Sequence, residues 1–335
     1  MMLALVVAVT VCAGPSGEQR DAVEKSEAFR QQMSEAIQRH DSGDYAGAIA
    51  IYKSMLKQWP HHPGVVYELS FSMNSSGAPP KEVIAMIEGE LKSMKNPKAQ
   101  IYSTLGTAYD TLGQLPKGEA NFRKGLKLDP KNADLVFNLG INLAMQKKES
   151  EAEPQFARAA ELAPNWPSVW RAAAITLETN GKAIDSVLAR LNFVVLEPDS
   201  ERGTTAAKAI DEALDKLVTR KGNNINVNMG GNSEDLGMQL MLAAAVAEDE
   251  KKSASEQKVS AVKKMIDFGI EDEATKGFRT TALTRLAEAK EAGCLEALLW
   301  EWRRSAKDPA ALKWFAAHRD QEEKFATFIS SQRRR

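Results

Sequence analysis

Proline punctuates the middle of this chain at a fixed stride: Pro130, Pro164 and Pro198 stand 34 residues apart, as do Gly106 and Gly140, and Phe122 and Phe156. A period of this length, kept by several residue types at once, is the mark of stacked helix pairs. Each pair carries an apolar face too wide to hide alone and covers it with the next pair. A core built this way grows lengthwise, so 335 residues need not mean several globular domains.

The clearest copy runs Tyr102, Leu105, Gly106, Tyr109, Gly113, Gly118, Phe122, Pro130. Tyr102, Leu105 and Tyr109 share one helical face at spacings of three and four, Gly113 supplies a turn, and Gly106 and Gly118 let the two helices approach closely. Gly118 stands where Ala is preferred, at some cost in helix propensity. The next copy places Val136, Leu139, Gly140, Leu143, Ala152, Phe156, Ala159 and Pro164 at the same offsets. The one after it keeps Trp170, Ala173, Ala174, Leu177, Gly181 and Pro198, but Ser186 and Arg190 stand where small and aromatic residues belong.

Upstream, Gly43, Asp44, Tyr45, Ala48, Tyr52 and Pro60 read as the turn, second helix and closing proline of a first copy. Pro60 to Pro130 is 70 residues, two more than twice 34. The surplus is placed in Ser75–Asn96, where Pro79 and Pro80 restart a helix carrying Val83, Ile84, Ile87 and Leu91.

These residues resemble the tetratricopeptide repeat family. The resemblance implies an all-α fold, a right-handed α-solenoid of helical hairpins with five repeats at 29–62, 63–98, 99–132, 133–166 and 167–200. It also implies a concave groove lined by the first helix of each repeat, whose second, fifth, ninth and twelfth positions face a ligand. Counting along the chain gives Tyr67 and Phe71, Ser103 and Thr107, Phe137 and Ile141, Arg171 and Ile175, with Asn74, Asp110 and Glu178 at twelfth positions. The groove is then largely apolar, with Asp110 and Glu178 as an acidic rim and Arg171 placed to pair with a carboxylate. Tyr67, Phe71, Asp110, Phe137, Asn138, Ile141 and Arg171 form the expected partner-binding set. Met33 and Ile37 occupy places that a carboxylate-gripping clamp would fill with polar residues, and Glu68, Thr104 and Ala172 break the asparagine ladder that Asn138 would begin. A competing arrangement has the C-terminal helices folding back into the groove and using its aromatics as core.

Past Pro198 the stride disappears, and residues 201–335 read as a further α-helical region. Thr204–Val218 is one amphipathic helix, Lys221–Asn232 a Gly- and Asn-rich break, and Asn232 or Ser233 caps a helix bearing Leu236, Leu240, Ala243 and Ala247. Further helices are expected at Glu256–Phe268, Ala274–Ala292, Leu295–Ser305, Pro309–Ala317 and Gln321–Ser331, with Asp308 before Pro309 as a sound start signal. Leu295, Leu298, Leu299 and Trp302 form one stripe, while Trp300 points away from it, either into a neighbouring helix or onto Arg304.

Met2–Val11 is apolar apart from Thr10 and is followed by Cys12, Ala13, Gly14 and Pro15, which reads as an export signal over residues 1–13 ahead of a lead-in at 14–28. The apolar run is too short to span a bilayer. The expected location is periplasmic, with a lipoprotein anchored through Cys12 as the alternative. Without Cys12, Cys294 is a lone thiol and the chain relies on packing without disulfides.

Lys plus Arg number 44 against 45 Asp plus Glu, so no global field favours nucleic acid. The four histidines (His40, His61, His62 and His318) fit no metalloprotease pattern, and no nucleophile elbow or phosphate loop is present. No cofactor or metal is expected, and the chain is read as a non-enzymatic scaffold or adaptor holding a protein or peptide for assembly or regulation of an exported complex. The alternative is an enzyme or ligand-binding module in 201–335, with the repeats serving for targeting.

Overall fold

The structure, a computed structural model, describes residues 23–221, 224–228, 236–248, 252–272, 275 and 277–332. The expected export signal and the Asn232/Ser233 cap lie outside these residues. The chain divides into two compact units, 1–142 and 143–335, and the division falls within helix α7.

In the first unit, helices alternate with tight turns: α1 (Glu27–Asp41), α2 (Tyr45–Gln58), α3 (Pro63–Ser75), α4 (Pro80–Leu91), α5 (Ala99–Thr111), α6 (Leu115–Leu128) and the start of α7 (Ala133–Met145). From α1 to α6 each helix packs on the next, and the first helices also pack on one another, α1 on α3 and α3 on α5. Tyr52, Met55, Leu69, Ile87, Ile101 and Leu105 fill the shared core. Full burial of each such side chain contributes about 1.5–3 kcal/mol, so one hairpin alone would forfeit most of its stabilising burial.

The turns show how the sequence enforces the hairpins. Gly43 (φ 85°), Gly77 (75°) and Gly113 (70°) take a left-handed conformation. In the first, Gly43 N–H donates to His40 C=O and Asp44 N–H to Arg39 C=O, both at 2.9 Å, closing the helix end with a paired cap. Asp44 then accepts from Gly47 N–H at 2.9 Å and starts α2. Gly43 to Gly77 is 34 residues and Gly77 to Gly113 is 36, so the two surplus residues fall between these turns, where α4 ends at Leu91 well before α5 begins.

Close helix approach at α5/α6 depends on Gly106, where a Cβ would sit 2.5 Å from the Phe122 ring. Gly118 is equally constrained, since a Cβ there would collide with the Asp110 carboxylate. The helix propensity lost at Gly118 is thus the consequence of a side chain occupying its space.

The second unit continues with α8 (Glu149–Leu162), α9 (Pro167–Thr179), α10 (Ala183–Leu196) and α11 (Glu201–Leu217). Beyond them come a β-hairpin and α12 (Leu236–Glu248), α13 (Ala254–Glu271), α14 (Phe278–Glu291), α15 (Leu295–Ser305), α16 (Pro309–Ala317) and α17 (Arg319–Gln332). Lys147 (φ 57°) and Gly181 (φ 74°) take the left-handed turn positions before α8 and α10.

Helix α10 is buried along nearly its whole length because α9, α11, α14 and α15 all pack on it. Residues on either side of Ser200 therefore share one core. Arg279 pairs with Asp185 at 2.6 Å, and Asn192 donates to Ala282 C=O at 2.9 Å. Arg285 is 4% exposed and donates to Asn192 Oδ1 (3.0 Å), Pro164 C=O (2.7 Å) and Asn165 Oδ1 (2.7 Å), and burial lowers its pKa to about 10.

The anomalous residues of the fifth copy also find a use here. Ser186 Oγ donates to Ala174 C=O at 2.8 Å, and the Arg190 guanidinium, in place of an aromatic ring, reaches Ser186 and Glu178.

Val218, expected to end the preceding helix, is extended and opens a strand instead: β1 (Val218–Lys221) runs up to the Gly- and Asn-rich break and pairs antiparallel with β2 (Asn224–Val227) inside it, in register Val218 with Val227 and Lys221 with Asn224. β-Branched Val218, Thr219, Ile225 and Val227 on either side of a turn-prone Gly-Asn pair favour this over helix. Helix α16 begins at Pro309 with Asp308 accepting from Ala310 N–H at 2.9 Å. Trp300 is buried and stacked on Trp314 at 5.6 Å, while Arg304 lies over the Phe315 ring, so the burial alternative holds for Trp300. Cys294 is buried, and burial pushes its thiol up to about 11. No helix among the described residues is long and apolar enough to cross a membrane.

Candidate functional site

The first helices of the first unit present a row of aromatic rings. Phe71, on α3, is 44% exposed and stacks on His40 of α1 at 4.9 Å and on Tyr67 one turn back at 6.0 Å. His40 meets Tyr45 edge-on at 5.1 Å and its Nδ1 lies 2.8 Å from Ser72 Oγ, which fixes the ring plane. Ile37, one turn before His40, is 38% exposed. Rings held by stacking and hydrogen bonding lose little rotamer freedom on meeting a ligand, which favours them as contact surface.

Glu68, beside Tyr67 on α3, adds an acid that interacts with these rings. Desolvation raises Glu68 above the usual carboxylate range, although His40 and Lys98 pull it back. Tyr67 is likewise raised by burial, with Glu68 and Asp134 adding to the effect.

The remaining expected site residues are distributed as follows. Phe137, Asn138 and Ile141 are half-buried on α7, and Asn138 Nδ2 donates to Ser103 Oγ on α5 at 3.1 Å. That bond engages the amide that would otherwise read a peptide backbone. Asp110 is turned toward α6, accepting from Asn142 Nδ2 at 2.6 Å beside Gly118, and desolvation pushes it up to about 6. It is therefore a half-buried bracket between helices and not a free charge on a rim. Glu178, the other expected rim acid, is paired with Arg190.

Arg171 belongs to the second unit, where it is exposed on α9 one turn before Ile175, itself 52% exposed. In that unit the C-terminal helices α14 and α15 cover α10 and leave these two α9 residues in solvent.

His40, Ile37 and Tyr45 were not in the expected set. Counting twelve positions from Phe29 reaches His40 and nine reaches Ile37, so the periodic rule already contained both. His40 and His61 have separate partners, Ser72 and Glu90, and among the described residues no group of three His, Cys, Asp or Glu side chains is placed to hold a metal.

Residues 103–167 match the tetratricopeptide repeat family model. No curated protein matches the sequence. Among solved structures the chain is similar to the Pseudomonas aeruginosa protein pilF (15% identity, TM-score 0.49, 59% of this chain and 92% of that one). It is also similar to the Thermus thermophilus protein TTC0263, a thermophilic TPR protein (18%, 0.45, 54% and 98%), and to YrrB, a TPR protein with an unusual peptide-binding site (18%, 0.43, 57% and 96%). The matched segment covers most of α5–α8, the stretch with the clearest stride, glycine-tight helix contacts and left-handed turns, and this stretch is built of tetratricopeptide repeats.

Proposed function

We propose that this chain is a protein-binding adaptor that docks a partner segment on the first-helix face of its first unit, through Phe71 and Tyr67 with Ile37 and His40 beside them and Phe137 and Ile141 on α7. One observation carries the reading: a large aromatic ring, Phe71, stands nearly half exposed between two stacked neighbours and has no core to fill. Exposed rigid aromatics of this kind are the usual anchors of protein interfaces. Asp110 and Asn138 are supports of that face, engaged with Asn142 and Ser103. Export to the periplasm, with cleavage before Gly14, belongs to the same proposal and rests on the apolar run at Met2–Val11. N-terminal sequencing of the secreted chain tests that part.

For docking, the partner captured by the wild-type chain and identified by mass spectrometry is purified and titrated against Phe71→Glu and Ile141→Glu. Each substitution is expected to weaken binding at least about tenfold, as loss of an interface anchor does, with unchanged helicity. Unaltered affinity in both variants overturns the reading.

A further inference from the structure

The second unit holds a hollow of about 380 Å³ where α9, α10 and α11 meet. Its floor is Phe193, 1% exposed, and its mouth is Ile175, 52% exposed. Three small residues on two of the helices (Ala174, Ala206 and Ala209) leave the space open, with room for a branched or aromatic side chain and the chain on either side of it.

The charges around it are unevenly satisfied. Arg190 is held by Ser186 and Glu178, and Arg202 reaches both oxygens of Glu197 at 2.7 and 2.8 Å. Arg171, exposed on α9, makes no hydrogen bond or ion pair among the described residues, and neither does the carboxylate of Glu201, exposed on α11. Two free charges of opposite sign thus flank one apolar hollow, a pattern that a ligand of the reverse order completes.

We infer that this hollow is a second docking point, which takes an apolar anchor residue of a partner segment flanked by a carboxylate toward Arg171 and an ammonium toward Glu201. The inference rests on the adaptor reading and gives the partner its chemistry. Apolar burial supplies the attraction, while the two charges set which segments are accepted and in which direction they lie.

The test uses short capped peptides and the full chain, read by the ¹³C-methyl resonance of Ile175. Acetyl-Asp-Leu-Lys-amide is expected to shift that resonance with a dissociation constant on the order of 1 mM, and acetyl-Asp-Gly-Lys-amide to bind at least about tenfold more weakly. Arg171→Glu is expected to reverse the preference, losing the Asp-Leu-Lys peptide and gaining acetyl-Lys-Leu-Lys-amide. Ala206→Leu is expected to weaken the shift with helicity retained, because it narrows the hollow from within. The inference is overturned if no peptide moves Ile175, if the glycine peptide binds as well as the leucine peptide, or if Arg171→Glu leaves the preference unchanged. Phe71→Glu serves as the separating control: peptide binding at Ile175 is unaffected by it, so failure here with partner capture still lost in Phe71→Glu removes only this second point.

Discussion

Asp110 offers a direct measurement of how the α5/α6 hairpin is built. Its carboxylate lies against Gly118 and accepts from Asn142, and desolvation raises it from an ordinary 3.8 to about 6. Because the folded state binds this proton more tightly than the unfolded chain does, the stabilising effect is complete below about pH 4 and is lost as the pH climbs through about 6. At about 1.4 kcal/mol per pH unit the rise has an upper bound of about 3 kcal/mol, and partial exposure of the side chain to water reduces this to about 1–2 kcal/mol. Asp110→Asn keeps the acceptor oxygen and the volume while removing the charge. The variant is expected to match the wild type in urea unfolding at pH 4 and to exceed it by about 1–2 kcal/mol at pH 7.5. A gain of equal size at both pH values, or a loss at pH 7.5, would refute the placement of this carboxylate in a desolvated bracket.

Three further outcomes follow from the packing. Gly106→Ala drives a methyl group into the Phe122 ring; overpacking of about 1–3 kcal/mol exceeds the gain of about 1 kcal/mol from removing a helical glycine, so chemical denaturation is expected to show a net loss of about 1 kcal/mol. Arg285→Met strands the acceptors on Asn192, Pro164 and Asn165, and a loss of about 2–4 kcal/mol is expected in the same assay. In a Cys12→Ser background, Cys294, with its thiol raised to about 11 by burial, is expected to react with a disulfide reagent only on denaturation; prompt modification of the folded chain contradicts its burial.

Much of the architecture is written locally. The stride fixes helix pairs because the residues that set it, Gly113 and Gly181 at turns and Leu105 and Phe122 in the core, act within one or two turns of their own position. The same arithmetic locates the two surplus residues between Gly77 and Gly113 and selects Tyr67 and Phe71, which the structure stacks together. It also reaches His40, once the count is begun at Phe29.

Local pattern is silent where a residue departs from the repeat's preference and its surroundings in space decide what it does. Lys147 takes the left-handed turn that glycine takes elsewhere, and the penalty for a β-carbon there is offset by its neighbours and not by its own preference. Arg190 looks like decay of the repeat until Glu178 and Ser186 are seen around it.

The sequence by itself determined that helices alternate in pairs and which faces of them are apolar, because periodicity and turn chemistry are properties of neighbouring residues. Only the tertiary structure decided which of those faces are covered. Arg279 finds Asp185, and Asn192 finds Ala282, across some ninety residues; such pairings follow from packing, which no repeat in the sequence encodes. For the same reason Trp300 is core and Phe71 is surface, although both were aromatic residues on a helix to begin with.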